Sequence, residues 1–256
     1  MATATDIEPD LVRRLVEQTV FTRVRDGSAV AETVERLGRA IDMGLLRPGD
    51  RLPPESRLAA DLGISPVTLR SAIAILRGAG LVETQRGRGG GTQVSASPPS
   101  PPPVGRLPTE TELRDLVDFR VVVEGGAAAL AAKRATGEQL DFLTRLVREM
   151  ESTEEYDGWS ERDTLFHLVL ADASGSQRVV GQVAEIRSEV YRIAKLGTVP
   201  RSTVELADRE HREIVRAVKK REPAEAREAM IRHVESTRAL WLGLGRAGSA
   251  KIRSRR

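Results

Sequence analysis

Six of the chain's 13 prolines fall within residues 95–109, which read Ser-Ala-Ser-Pro-Pro-Ser-Pro-Pro-Pro-Val-Gly-Arg-Leu-Pro-Thr. Proline fixes φ and has no amide hydrogen, so such a stretch forms neither helix nor central strand and favours extended backbone. Regular hydrophobic periodicity lies on both sides of it. We read it as a linker that splits the 256 residues into two domains, each large enough to bury a core of its own. A ligand for a proline-recognising module is the sharper reading and the weaker one. The resulting plan is an N-terminal extension over 1–28, a domain over 29–95, the linker over 96–109, a second domain over 110–244 and a basic tail over 245–256. That tail, with five basic residues and no acid after Leu244, reads as solvated and without structure.

Composition narrows the function. The chain has no cysteine, which excludes disulfides, thiolate zinc sites and cysteine nucleophiles together. Four Phe, two Tyr and two Trp are too few for a base-stacking platform. The net charge of +3 decides nothing in bulk, so any nucleic-acid binding must rest on local clustering. No apolar run approaches the roughly 18 residues of a membrane span, and residues 1–20 lack a secretory apolar core. A cytoplasmic location with no membrane partner is expected.

Residues 55–76 predict two short helices joined by a tight turn. Leu58, Ala59 and Leu62 line the inner face of the first, and Gly63 supplies the left-handed conformation that ends it. Ser65 is a natural N-cap, with Pro66 at the first helical position. Leu69, Ala72, Ile73 and Leu76 then pack inward, which turns Val67, Thr68, Arg70 and Ser71 outward at the end that a helix-turn-helix inserts in the major groove. Two predicted strands follow, 81–84 and 92–94, around the loop Gln85-Arg86-Gly87-Arg88-Gly89-Gly90-Gly91. This is the pattern of a wing, whose arginines on flexible backbone can track phosphates or enter a narrow minor groove. The competing readings are a helical hairpin for protein contacts and a phosphate loop. No Lys-Ser/Thr follows the glycines, as a phosphate loop would require. Helix-turn-helix and wing in this order favour double-stranded operator DNA as the partner.

Upstream, periodicity predicts helices over about 8–24 and 30–43. Beyond the linker it predicts them over 111–135, 137–151, 159–173, 176–196, 203–221 and 223–243. The fold class is therefore mainly α: an N-terminal winged helix-turn-helix with a small β wing, and a C-terminal all-α helical bundle.

All three histidines lie in this second half. Asp163 and His167 are one turn apart on a face shared with Phe166 and Leu170. His211 shares its face with Ile214, Val215 and Val218, and His233 shares its face with Ala226, Ala229 and Met230. A carboxylate on an apolar face needs a counter-charge. Three imidazoles and one carboxylate converging on one core suit a divalent metal: zinc first, nickel or manganese if water completes a larger shell. Taken singly, each histidine is more simply a hydrogen-bonded core residue. All four would have to be so independently. The Glu-x-x-His pairs of di-iron bundles are absent.

The N-terminal half resembles the GntR family of bacterial transcription regulators. The carrying residues are the run Gly44-Leu45-Leu46-Arg47-Pro48-Gly49-Asp50-Arg51-Leu52-Pro53-Pro54-Glu55, then Leu58-Ala59, Leu62-Gly63-Ile64-Ser65, Thr68-Leu69-Arg70, Leu76, Gly80-Leu81-Val82 and the Gly-rich wing. Two departures stand out: Ser56 and Pro66 occupy positions where the family usually has DNA-contacting arginines. The resemblance then implies that Ser65, Val67, Thr68, Arg70 and the wing residues Arg86, Gly87 and Arg88 carry the contact, with Arg57 in partial replacement. Residues 110–244 resemble the FCD effector domain of the FadR subfamily, through Leu116-Val117-Asp118-Phe119-Arg120-Val121-Val122-Val123-Glu124, Asp163-Thr164-Leu165-Phe166-His167, His211-Arg212-Glu213-Ile214-Val215-Arg216-Ala217 and Ala229-Met230-Ile231-Arg232-His233. This resemblance implies a cation on Asp163, His167, His211 and His233, a small carboxylate effector and a homodimer. It assigns Arg120 to the effector, against a plain ion pair with Glu124 one turn along. Ser174-Gly175-Ser176 replaces the family's frequent Ser-Gly-Asn.

The expected function is thus a transcription regulator, not an enzyme, in which an effector alters operator binding. The rival reading is a metal-dependent enzyme bundle fused to a DNA-binding domain. It needs a general base near the cation, for which Asp208, Glu210 and Glu213 are the nearby acids. A pure metal sensor ranks below effector sensing.

Overall fold

The computed structural model describes residues 9–24, 28–85, 87, 90–99 and 106–253, with side chains from 10 to 238. The chain divides into two compact units at residues 102 and 103.

The first unit contains α1 (Pro9–Thr19), α2 (Ala29–Asp42), α3 (Glu55–Leu62), α4 (Pro66–Gly78), β1 (Val82–Gln85) and β2 (Gly91–Val94). α3 and α4 meet at 105°. The turn forms as its residues dictate: Gly63 caps α3 at φ +65°, and Ser65 Oγ accepts from the Thr68 amide to cap α4, with Pro66 at its start. Leu58, Ala59, Leu62, Leu69, Ala72, Ile73 and Leu76 are all buried. β1 and β2 pair antiparallel from Val82 opposite Val94 to Gln85 opposite Gly91, each strand one residue away from its expected limits. Arg51 adds a bridge to Gln93, and the Leu52 amide donates to Thr92 O at 2.9 Å. Sequence periodicity gave no hint of this isolated bridge.

Residues 9–24 belong to the first unit. Leu11 and Leu15 are buried, the Val24 amide donates to Leu62 O at 2.9 Å, and Arg36 on α2 donates to the Thr22 carbonyl at 2.6 Å.

The second unit contains α5 (Glu110–Arg134), α6 (Gly137–Glu151), α7 (Tyr156–Ala173), α8 (Gln177–Lys195), α9 (Arg201–Lys219) and α10 (Pro223–Arg253). Capping boxes start α5 at Thr109 and Glu112 and α6 at Thr136 and Gln139. α7 is the central helix, buried on nearly every side from Trp159 to Ala173, with α5, α6 and α8 packed on it. α10 lies along α5, close enough that Gly125 has no room for a side chain without displacing Ile231. α10 also continues to Arg253, so most of the stretch expected as a solvated tail is helical. Among the described residues no single helix is long and apolar enough to cross a membrane.

Candidate metal centre and nucleic-acid interface

Three helices bring the four expected ligands to one point in the second unit. Asp163 and His167 come from α7, His211 from α9 and His233 from α10. All four are buried, and one ligand atom from each lies within 4.8 Å of every other. Asp163 Oδ1 is 3.3 Å from His211 Nε2 and 3.6 Å from His167 Nε2. Ligands held about 2.1 Å from a tetrahedral zinc stand about 3.4 Å apart, so these separations already suit a cation. The four-residue juxtaposition read from helical spacing is the one the fold produces.

Hydrogen bonding supports the fit. Neither ring nitrogen of His211, nor Nε2 of His167, has a hydrogen-bond partner. Buried nitrogens left so cost about 1–3 kcal/mol each, and a cation at the focus of the two Nε2 atoms removes that penalty for them. The outer nitrogens of His167 and His233 lie beside carboxylates. His167 Nδ1 faces Glu124 Oε1 at 2.7 Å, and His233 Nδ1 is 3.0 Å from Glu210 Oε2. The Glu210 hydrogen bond fixes the His233 ring and its tautomer with Nε2 turned inward. Phe166, tilted over His211 with ring centroids 4.5 Å apart, and Trp159, stacked at 6.2 Å, close one side.

Two buried arginines, neither of them a ligand, set the charge. Arg187 of α8 bonds Asp163 Oδ2, leaving Oδ1 toward the imidazoles. Arg120 of α5 donates to Glu124 Oε2 at 2.6 Å and to Thr237 Oγ1 at 3.1 Å. The expected ion pair of Arg120 with Glu124 is therefore formed, and the guanidinium is buried behind the His167 ring. Burial pushes the Asp163 carboxyl up, but Arg187 and then the His167 and His211 imidazoles overrule it and hold it well below the usual range. Glu124 is likewise held down, by Arg120 and His167 against burial. Burial lowers His211, and burial with its two neighbouring imidazoles lowers His233 further. Both are neutral near pH 7, as metal ligation requires.

The acids that a hydrolytic reading would use are all engaged. Asp208 accepts from Trp159 Nε1 at 2.8 Å, Glu210 accepts from Ser236 Oγ at 2.9 Å, and Glu213 is 3.4 Å from Arg232 at the surface. Ser176, where the family often has Asn, caps α8 by accepting from Val179.

Sequence reasoning missed Arg187. An arginine in an amphipathic helix reads as solvated, and its i,i+4 neighbours Val183 and Tyr191 mark the inward face only once α8 is known to pack on α7.

In the first unit, Val67 is 67% exposed, with Ser65 and Arg70 exposed beside it and Thr68 half-exposed. Ser65 Oγ and Thr68 Oγ1 lie 2.8 Å apart, and Arg70 Nε donates to Pro66 O at 3.2 Å. Arg57 is exposed but ion-paired to Glu17 of α1 at 3.0 Å. Gly87 stands in the wing loop at φ +108°. Arg86 and Arg88 lie outside the described residues.

Both units match known families. Residues 29–92 match the family described as bacterial regulatory proteins, gntR family, and residues 115–236 match the FCD domain. The chain is 33% identical over 240 residues to the helix-turn-helix transcriptional regulator RmpR of Mycobacterium gastri, spanning 91% of this chain and 84% of that protein. It is 31% identical over 222 residues to the Glc operon transcriptional activator of Escherichia coli strain K12, spanning 82% and 86%. With the regulator LutR of Bacillus subtilis strain 168 it shares 31% over 206 residues, spanning 76% and 92%. Of solved structures, E. coli McbR/YncC shares the fold at a TM-score of 0.52 and 18% identity, over 85% of this chain and 99% of that one. A GntR regulator from Rhodococcus sp. RHA1 does so at 0.51 and 24%, also over 85% and 99%. The matched families and relatives are transcription regulators, not enzymes.

Proposed function

Because this chain belongs to the GntR family of bacterial regulatory proteins, as a DNA-binding transcription regulator with an FCD effector domain, we propose that its helical unit holds one divalent cation and a small carboxylate effector. The cation sits on Asp163, His167, His211 and His233, with zinc the first candidate. The chain takes its place in the FadR subfamily and works in the cytoplasm as a homodimer. Ser65, Val67, Thr68 and Arg70, with Arg86, Gly87 and Arg88 of the wing, contact operator DNA, and Arg57 joins them on releasing Glu17.

The observation that carries the effector reading is the charge balance of the buried centre. Two carboxylates, Asp163 and Glu124, are already matched by two guanidiniums, Arg187 and Arg120. A dication held there by neutral imidazoles leaves excess positive charge away from water. An organic carboxylate is the ligand that relieves it. The cation takes a carboxylate oxygen by expanding beyond its four protein ligands, and Arg120, on exchanging its Glu124 partner, is the guanidinium that assists.

Metal analysis of the purified protein, joined to a thermal-shift screen of small mono- and dicarboxylates, tests this. The expected result is one equivalent of metal, and stabilisation by a subset of acids that vanishes after chelation. Stabilisation that survives chelation would place the effector elsewhere. A metal-free protein with no carboxylate response would end the reading.

A further inference from the structure

Two adjacent glycines in the middle of α5 pose a question. Interior glycines weaken a helix relative to alanine. Gly125 has its reason in α10, where a Cβ would meet Ile231 Cγ1 at 3.3 Å and Arg227 Cγ at 3.5 Å. Gly126 points away from the bundle, and a Cβ there would meet nothing within 4 Å. Nothing in its own chain explains it. The same outer face carries two of the few large apolar side chains that stand in water, Phe119 at 41% and Val122 at 68% exposure.

At about 100° per residue, Asp115, Phe119, Val122, Gly126, Ala129 and Lys133 form one strip about 80° wide. It lies opposite the face through which Val117, Glu124 and Ala131 enter the bundle. Asp115 and Lys133, at its two ends, are both exposed and have no ion-pair partner among the described residues.

The strip is complementary to itself. Set antiparallel against a second α5 about a two-fold axis at the level of Glu124, Asp115 meets Lys133, Phe119 meets Ala129 and Val122 meets Gly126. Each acid faces a base and each bulky apolar residue faces a small one, with the glycine where two helices must approach most closely. We propose that the outer face of α5 is the contact through which two copies of this chain pair, in that antiparallel register. The inference rests on the homodimer named above and adds the surface and register, which family membership alone does not supply.

Sedimentation velocity on the full chain at low micromolar concentration tests it. Wild type is expected to be a dimer. Val122→Lys and Gly126→Leu should each raise the dissociation constant by about tenfold or more. The second substitution favours helix, so a monomer that retains its circular dichroism cannot be put down to unfolding. Asp115→Lys alone and Lys133→Asp alone should weaken the dimer by placing like charges opposite each other, and the double variant should restore it, since only antiparallel pairing joins these two positions. A wild-type monomer would overturn both the dimeric reading and this face. A dimer indifferent to Val122→Lys and Gly126→Leu would overturn the face and leave the dimer standing. A double variant no tighter than the single ones would overturn the register and with it the proposal.

Discussion

At the residue scale the centre is a balance between burial and charge, and its parts answer differently to pH. His211 and His233 are held below their ordinary value of about 6.5, mainly by burial. In the metal-free protein, the unfolded chain therefore binds protons below that pH which the folded chain refuses. Stability is full above about pH 7 and falls as pH drops through 6.5, with a slope approaching about 2.7 kcal/mol per pH unit for two protons. Asp163 and Glu124 are depressed carboxyls; their contribution is present above about pH 4 and leaves this window undisturbed. Urea denaturation of chelator-treated protein between pH 7.5 and 5.5, limits chosen to span about one unit on either side of 6.5, measures the slope; a flat profile would contradict neutral buried imidazoles. Arg187 makes a separate prediction. Arg187→Met leaves Asp163 buried without its counter-charge, which should destabilise the metal-free protein by about 3–5 kcal/mol. A bound cation replaces that charge, so the variant should lose less stability when loaded and should bind zinc more tightly than wild type. Fluorescence of Trp159, stacked on His211, reports the titration. Zinc affinity that falls in the variant would show that Arg187 positions Asp163 rather than competing with the metal.

At the element scale the turn between α3 and α4 is the part of the DNA-binding unit most exposed to single changes. Gly63 sits at φ +65°, where a Cβ would also crowd Arg23 Cγ at 3.1 Å. Ser65 holds the first amides of α4. Gly63→Ala and Ser65→Ala should each destabilise the first unit by about 1 kcal/mol, read as a lowered melting midpoint, while zinc uptake by the second unit is unchanged. Arg70→Ala should leave the fold intact, weaken binding to a duplex selected by the protein from a random pool, and reduce the slope of log affinity against log salt by about 1. An unchanged slope would remove Arg70 from the phosphate contacts. The same turn shows what a sequence makes legible. Gly63, Ser65 and Pro66 act through local backbone chemistry, and the helices follow local periodicity, so both are readable within a few residues. The proposed metal ligands are readable because four polar residues interrupt apolar faces. What was not readable depends on contacts far apart in the chain: Arg51 bridging Gln93, residues 9–24 anchored through Glu17 and Thr22, Arg187 turned onto Asp163, and Glu210 backing His233. The helical continuation of α10 belongs here too. Basic composition in residues 246–253 describes how a segment is solvated, and says little about its backbone.

At the scale of the whole molecule, two binding units share one chain across a proline-rich segment, and regulation requires that they exchange free energy. If a carboxylate alters operator affinity by some factor, operator must alter carboxylate affinity by the same factor, and a tenfold effect corresponds to about 1.4 kcal/mol in either direction. Calorimetric titration of the acid found in the stability screen, with and without the selected duplex, should return matching factors; unequal factors would mean that the acid acts on DNA binding by another route. Cutting the chain separates this coupling from plain tethering. A protease site placed within residues 96–109 should, after cleavage, leave zinc binding intact in the second unit and the helix-turn-helix folded in the first. The acid should then have no effect on DNA affinity. That affinity should itself fall, because in the proposed dimer two winged units held by a paired second domain meet two half-sites at a high effective concentration, and separated units do not. Cleaved protein that bound DNA as tightly as the intact chain would show that the first unit pairs by itself. The dimer contact on α5 would then have no part in operator recognition.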